Sequence, residues 1–123
     1  MNTYISAPGI SRFLVNVVST PTDLKQGLSG RKSMLPRQGM LFVFPSFGKQ
    51  SMWMPNMNFP LDIVWIDDDK TIIKIEENAT PCADNHNCKS YSSFYPAKYA
   101  IELNAFDADR IGLYVGLQLS FSV

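Results

Sequence analysis

Residues 39–67 read GMLFVFPSFGKQSMWMPNMNFPLDIVWID, and the order of apolar and polar positions along them decides the fold. Met40, Phe42 and Phe44 alternate with Leu41 and Val43, so neither face of the run is polar. That is the pattern of a strand covered on both sides. Pro45 ends it, a second run occupies residues 50–54, and a third occupies residues 61–67. Pro55 and Pro60 confine the interval between the last two to loop or edge geometry.

On the C-terminal side, LDIVWI and TIIKIEE flank the polar turn Asp67-Asp68-Asp69-Lys70 and read as a hairpin. Three acids could ligate calcium, but the spacing and glycine of an EF-hand loop are missing, so a solvated turn is the expectation. Residues 78–96 form the longest non-periodic stretch and hold both cysteines, which points to a functional or tethered loop. Residues 98–104 alternate again, with Tyr99, Ile101 and Leu103 on one face, residues 105–111 suit a helical turn or two before Gly112, and residues 117–121 supply a closing strand.

On the N-terminal side, residues 12–18 (RFLVNVV) read as the first strand, after an extension over residues 1–11. A short helix follows, with Thr20 as cap, Pro21 at its first position, Asp23 in its first turn and Leu24 paired with Leu28. Gly27 and Gly30 keep it short. The expected architecture is one α+β, mainly β domain over residues 1–123, a small antiparallel barrel-like sheet of about seven short strands with two short helices.

At 123 residues, with 46% hydrophobic side chains, the chain can bury one core. Eleven basic and eleven acidic residues give a net charge of zero without a like-charge run, which disfavours nucleic-acid binding and permits assembly between copies. No stretch reaches the roughly 18 apolar residues of a membrane span, and residues 1–11 lack the charged start and apolar run of a secretory signal. The chain therefore reads as soluble and leaderless.

The chain resembles the small prokaryotic family catalogued as domain of unknown function 192. The resemblance is carried by Gln26-Gly27-Leu28 with Arg31, the strand 39–44, Trp53-Met54 with Asn56, and Pro60-Leu61-Asp62-Ile63. Further on it is carried by Glu77-Asn78-Ala79, Pro81-Cys82, Cys88, Tyr91 and Pro96-Ala97-Lys98-Tyr99, so that it spans nearly everything from Val15 to Leu119. The sequence departs from the family at Pro55, commonly lysine, at Met57, commonly threonine, and at Phe106, commonly glycine. The resemblance implies a compact β-rich fold, frequent export, occasional phage membership, and no settled activity.

Candidate site residues come from polar or amphipathic positions inside the apolar pattern: Arg31, Trp53, Asn56 and Asp62. Asp62 shares a strand face with Val64 and Ile66, so it is expected to be at least partly buried and to need a partner, for which Arg31 is the natural candidate with Asn56 completing the hydrogen bonds. Two readings stand side by side. One is an internal polar staple; the other makes Trp53 a stacking floor and Asp62 with Asn56 the contacts of a small polar ligand such as a carbohydrate. Glu102 is a candidate second carboxylate for acid/base work. Met52, Met54 and Met57 alternate around Trp53 and, with Phe59, form either core or a partner surface.

Cys82 and Cys88 can close a seven-residue ring worth about 2.4 kcal/mol in loop-closure entropy, and a local disulfide is the leading reading. Cys82, Asp84, His86 and Cys88 are also four candidate zinc ligands, but at no established spacing. His86 is the sole histidine, so any Cys-His nucleophile must use it.

Three functions remain open on this reading. The first is a non-catalytic binding or accessory module without a cofactor, taking a small polar ligand or a protein partner. The second is a structural subunit of a larger assembly such as a virion, and the third is a carboxylate-dependent hydrolase. The cysteine pair points to an oxidising setting, the missing leader does not, and the compartment stays open.

Overall fold

The structure, a computed structural model, describes residues 1–54, 56–82 and 88–123. Its described residues form eight strands and two short helices. The elements are β1 (Asn2–Ile5), β2 (Phe13–Val18), α1 (Pro21–Gln26), β3 (Gln38–Gly48) and β4 (Ser51–Trp53), then β5 (Leu61–Ile66), β6 (Ile72–Ala79), β7 (Ser90–Ser92), β8 (Ala97–Asn104) and α2 (Asp107–Ile111). No helix among them is long and apolar enough to cross a membrane.

Six strands form one sheet in the order β1-β2-β3-β8-β5-β6, and β4 pairs with β7 apart from it. Neighbours run antiparallel except β2 and β3, which are parallel and joined through α1. A parallel pair needs such a crossover, because a tight turn cannot return the chain to the same end of the sheet. Thr20 Oγ1 accepts from Asp23 N at 3.2 Å and Pro21 opens the helix, as its sequence predicts.

The sheet curls without closing into a barrel. The expected closing strand at residues 117–121 is reduced to isolated bridges, Gln118 with Thr71 beside β6 and Ser120 with Ser6 beside β1. One short segment thereby covers parts of both sheet edges at one end. Residues 1–11, expected as an extension, contribute β1, whose Ile5 is fully buried. The Asp67–Lys70 turn is held by Asp67 Oδ1, which accepts from Asp69 N and Thr71 N, both at 2.9 Å.

Alternation along the three central strands sorts side chains into two cores. Leu41, Val64, Ile66, Ile101 and Leu103 pack with α2 and the C-terminal segment. Met40, Phe42, Phe44, Ile63, Trp65 and Ala100 point the other way, toward α1 and residues 52–59. All six residues of β5 are buried, as a strand sandwiched between two layers requires.

Gly39 marks the tightest approach between β3 and β8. A Cβ there would lie 2.6 Å from the carbonyl oxygen of Glu102 and 2.8 Å from Leu103 Cδ2. Gly39→Ala is therefore expected to destabilise the domain by roughly 1–3 kcal/mol through overpacking of the central pair. Urea denaturation measures this, and an unchanged midpoint would show that the two strands can part without cost.

Candidate functional site

On the Phe42 side of the sheet a cleft of about 290 Å³ opens between two walls. One wall is α1 with the turn after it, residues 24–29; the other is residues 51–54 with Met57. Phe42, Phe44 and Glu102 form the floor.

Local hydrogen bonding explains why the walls stand where they do. Gly30 N donates to Asn56 O at 3.0 Å and Asn58 Nδ2 donates to Arg31 O at 2.7 Å, so the chain after α1 is tied directly to the segment after β4. The second wall is also held from behind. Tyr91 of β7 pairs with Met52, Ser93 N donates to Gln50 O at 2.9 Å, and Cys82 N donates to Met54 O at 3.2 Å.

Cys82 and Cys88 form a disulfide with a Cα–Cα distance of 5.1 Å. Both thiols are consumed, which removes the cysteine nucleophile considered from sequence. Asp84 and His86 lie outside the described residues, as does Pro55. Among the described residues no group of three or more His, Cys, Asp or Glu is placed to hold a metal.

The sequence-derived candidates separate in the structure. Trp53, 57% exposed, and Met57 line the cleft. Phe59 is half-buried against the core beneath, and Asn56 is exposed, tied into the wall through its carbonyl. Arg31 is exposed beside a second depression with Asn16, Met34 and Gln38.

Asp62 sits on the opposite face of the sheet from the cleft. It is fully buried, and its expected partnership with Arg31 and Asn56 is replaced by three backbone donors at 3.0 Å: Asn78 N and Phe106 N to Oδ1, and Ala108 N to Oδ2. Side chains alternate along β5, so Asp62 joins Val64 in the core covered by α2, while Ile63 faces the cleft side. The pairing of Asp62 with Trp53 in one site is thereby corrected. Asp62 anchors the irregularity of β6 at Asn78, the turn at Phe106 and the start of α2.

The acid at the cleft is Glu102. It lies opposite Met40 on β3 and Ile63 on β5, both members of the core beneath the cleft. It is 5% exposed, and among the described residues its carboxyl group takes no hydrogen bond. Burial pushes that carboxyl up to about 8, because removing water disfavours the charged form and no donor or cation offsets the loss. The signal for it in the sequence, an acid inside the apolar alternation of residues 98–104, is the same signal that singled out Asp62.

Gly27 completes the approach to this acid. It takes φ 48° and ψ −129°, a backbone that favours glycine, and a Cβ there would lie 3.3 Å from Phe42 Cζ and 3.9 Å from Glu102 Oε1. The carboxyl group and the ring tip therefore flank one small space.

The family profile of DUF192, described as uncharacterized ACR, matches residues 4–121. Among solved structures, a candidate transcription regulator from Sinorhizobium meliloti is 33% identical with a TM-score of 0.86, over 98% of this chain and 92% of that one. A protein of unknown function from Novosphingobium aromaticivorans is 22% identical with a TM-score of 0.83, over 97% of this chain and 83% of that one, a likeness of fold. No curated protein matches the chain significantly.

Two of the buried acids, Asp62 and Glu102, predict different behaviour. Asp62→Asn turns one acceptor into an NH₂ facing a backbone N–H, and is expected to cost on the order of 3 kcal/mol in urea denaturation. A loss under about 0.5 kcal/mol would show that the three bonds do not anchor α2.

For Glu102 the folded-state value of about 8 lies above the ordinary 4.5, so the folded chain holds a proton that the unfolded chain releases. Its stabilising contribution is complete below the ordinary value and is lost as pH rises toward the folded one, on the order of 4 kcal/mol across the window. Glu102→Gln removes that loss, so the variant should gain on the wild type between pH 5 and pH 8. Parallel stability curves for the two proteins would contradict the assignment.

Proposed function

The chain belongs to the uncharacterized DUF192 family, and from that premise we propose that it is a binding module whose small-molecule ligand occupies the Glu102 cleft. One observation carries this reading. An acid buried to 5% exposure, with no hydrogen bond to its carboxyl group among the described residues, stands at the floor of a cleft. Burying a polar group without a partner costs stability, and a ligand that supplies the partner recovers it.

The surroundings fit such a ligand. Phe42, Phe44 and Met54 offer apolar and polarisable surface at depth, and Trp53 offers a ring near the mouth. The lining mixes these apolar side chains with the polar Lys25, Gln26, Ser29 and Ser51, and about 290 Å³ suits a small occupant. The binding reading taken from sequence keeps Trp53 and Met57 and replaces Asp62 with Glu102.

The hydrolase reading has less support, because among the described residues that line the cleft Glu102 is the only carboxylate. The regulator description attached to the Sinorhizobium protein is not extended to this chain. A net charge of zero offers no evident counterpart to nucleic-acid phosphates.

A library of small amphiphilic fragments, screened by amide NMR on the disulfide-bonded protein, tests the proposal. Binders should shift residues 24–29 and 51–57 together, and Glu102→Ala should weaken them at least about tenfold while the domain stays folded. Binders that cluster instead around Phe47, Tyr95 and Val115, the exposed apolar positions at the far edge, would overturn it.

A further inference from the structure

Resting on the binding reading above, we propose that the cleft takes an organic ammonium ion, with the cationic nitrogen against Glu102 and the alkyl or aryl part against Phe42, Phe44 and the methionines. Geometry carries the assignment. The Glu102 carboxyl group and the tip of the Phe42 ring flank the same space beside Gly27, 3.9 and 3.3 Å from where a Cβ would stand. A Cβ at Gly27 would press on the Phe42 ring, so the glycine keeps the approach to Glu102 clear.

The chemistry of that space selects a cation. A carboxylate, aromatic rings and thioether sulfurs all present negative or polarisable surface, and rings attract ammonium ions most strongly where water is excluded. Glu102 is the single acid lining the cleft among the described residues, so an ion pair at the floor is available to a cation and not to an anion.

The neighbouring charges leave the acid to the ligand. Met40 on β3 and Ile63 on β5 flank Glu102 in register and carry no charge. Residues 51–54 and Met57 bring none, and α1 brings Lys25, which is exposed. A buried carboxylate usually has a fixed cation or a set of donors; here the ligand supplies the cation.

Binding exchanges a proton. The acid of the free protein, Glu–COOH, meets R–NH₃⁺ and becomes the ion pair Glu–COO⁻···⁺H₃N–R, with one proton released to solvent. Since the free carboxyl group titrates near 8, affinity for an alkylammonium should rise with pH, by roughly fifty-fold between pH 6 and pH 8, and level off above. A neutral ligand accepting a hydrogen bond from Glu–COOH would show the opposite trend.

Calorimetry on the full disulfide-bonded chain with butyl-, hexyl- and phenethylammonium, each against the matching alcohol, decides between them. The expected result is amine binding at least about tenfold tighter than the alcohol at pH 8, release of nearly one proton at pH 6, and loss of that preference in Glu102→Gln. Amide NMR locates both classes. Alcohols that shift residues 24–29 and 51–57 as strongly as the amines, or amine affinity that falls with pH, would overturn the ammonium assignment and leave the binding reading standing. If neither class perturbs the cleft, both fall.

Discussion

β8 lies between β3 and β5, hydrogen-bonded to each, and the placement of its side chains is the constraint on which the other features rest. Successive residues of a strand point to opposite faces, so the register of this one strand sends Ile101 and Leu103 into the core beneath α2 and Ala100 and Glu102 to the other side. A slip of one residue would bury Glu102 against the helix and expose leucine to the cleft. Gly39, which would clash with the Glu102 carbonyl if it carried a Cβ, lets β3 approach closely at the same point.

Two buried acids on adjacent strands meet opposite fates. Asp62 receives three backbone N–H groups, two of them from residues with left-handed backbones, Asn78 at φ 54° and Phe106 at φ 70°. Such conformations cost energy in residues with side chains, and a fully buried carboxylate that accepts from both positions helps hold them in place. Phe106 takes this left-handed turn position with a side chain, where glycine is the better-suited residue. Glu102 has no comparable set of donors among the described residues, and its side chain lines the cleft. In one protein, the acid whose bonds are satisfied anchors the fold, and the acid whose bonds are not satisfied faces the cleft.

Much of this fold was legible in the sequence because it follows from local rules. The two-sided apolar run at residues 39–44, the Thr20-Pro21 helix start and the polar turn at residues 67–70 each need only neighbouring residues to be read. The parallel pairing of β2 with β3 and the reduction of residues 117–121 to bridges are long-range outcomes, set by which edges the sheet leaves open. The candidate site was half legible for the same reason. Trp53 and Met57, singled out by their chemistry, line the cleft, and Asp62 shares a sheet face with Val64 and Ile66 as its alternation indicates. What period-two alternation within one strand cannot tell is which sheet face the Trp53 segment will cover, and that placed Asp62 and Trp53 on opposite sides.

The cleft walls are held differently from its floor. Phe42, Phe44 and Glu102 belong to central strands whose hydrogen bonds run on both sides, and such strands are the last parts of a sheet to open. The walls are short segments tied to each other at Gly30–Asn56 and Asn58–Arg31, with β4 further tied to β7 and Met54 to the disulfide loop. The walls also share buried area, since Leu28 of one and Met54 of the other are buried in the same core cluster, while Asn56 and Asn58 are exposed. On the proposed binding reading, a buried acid fixed by the sheet beneath walls that carry three methionines would suit ligands that share one charged end and differ in the rest.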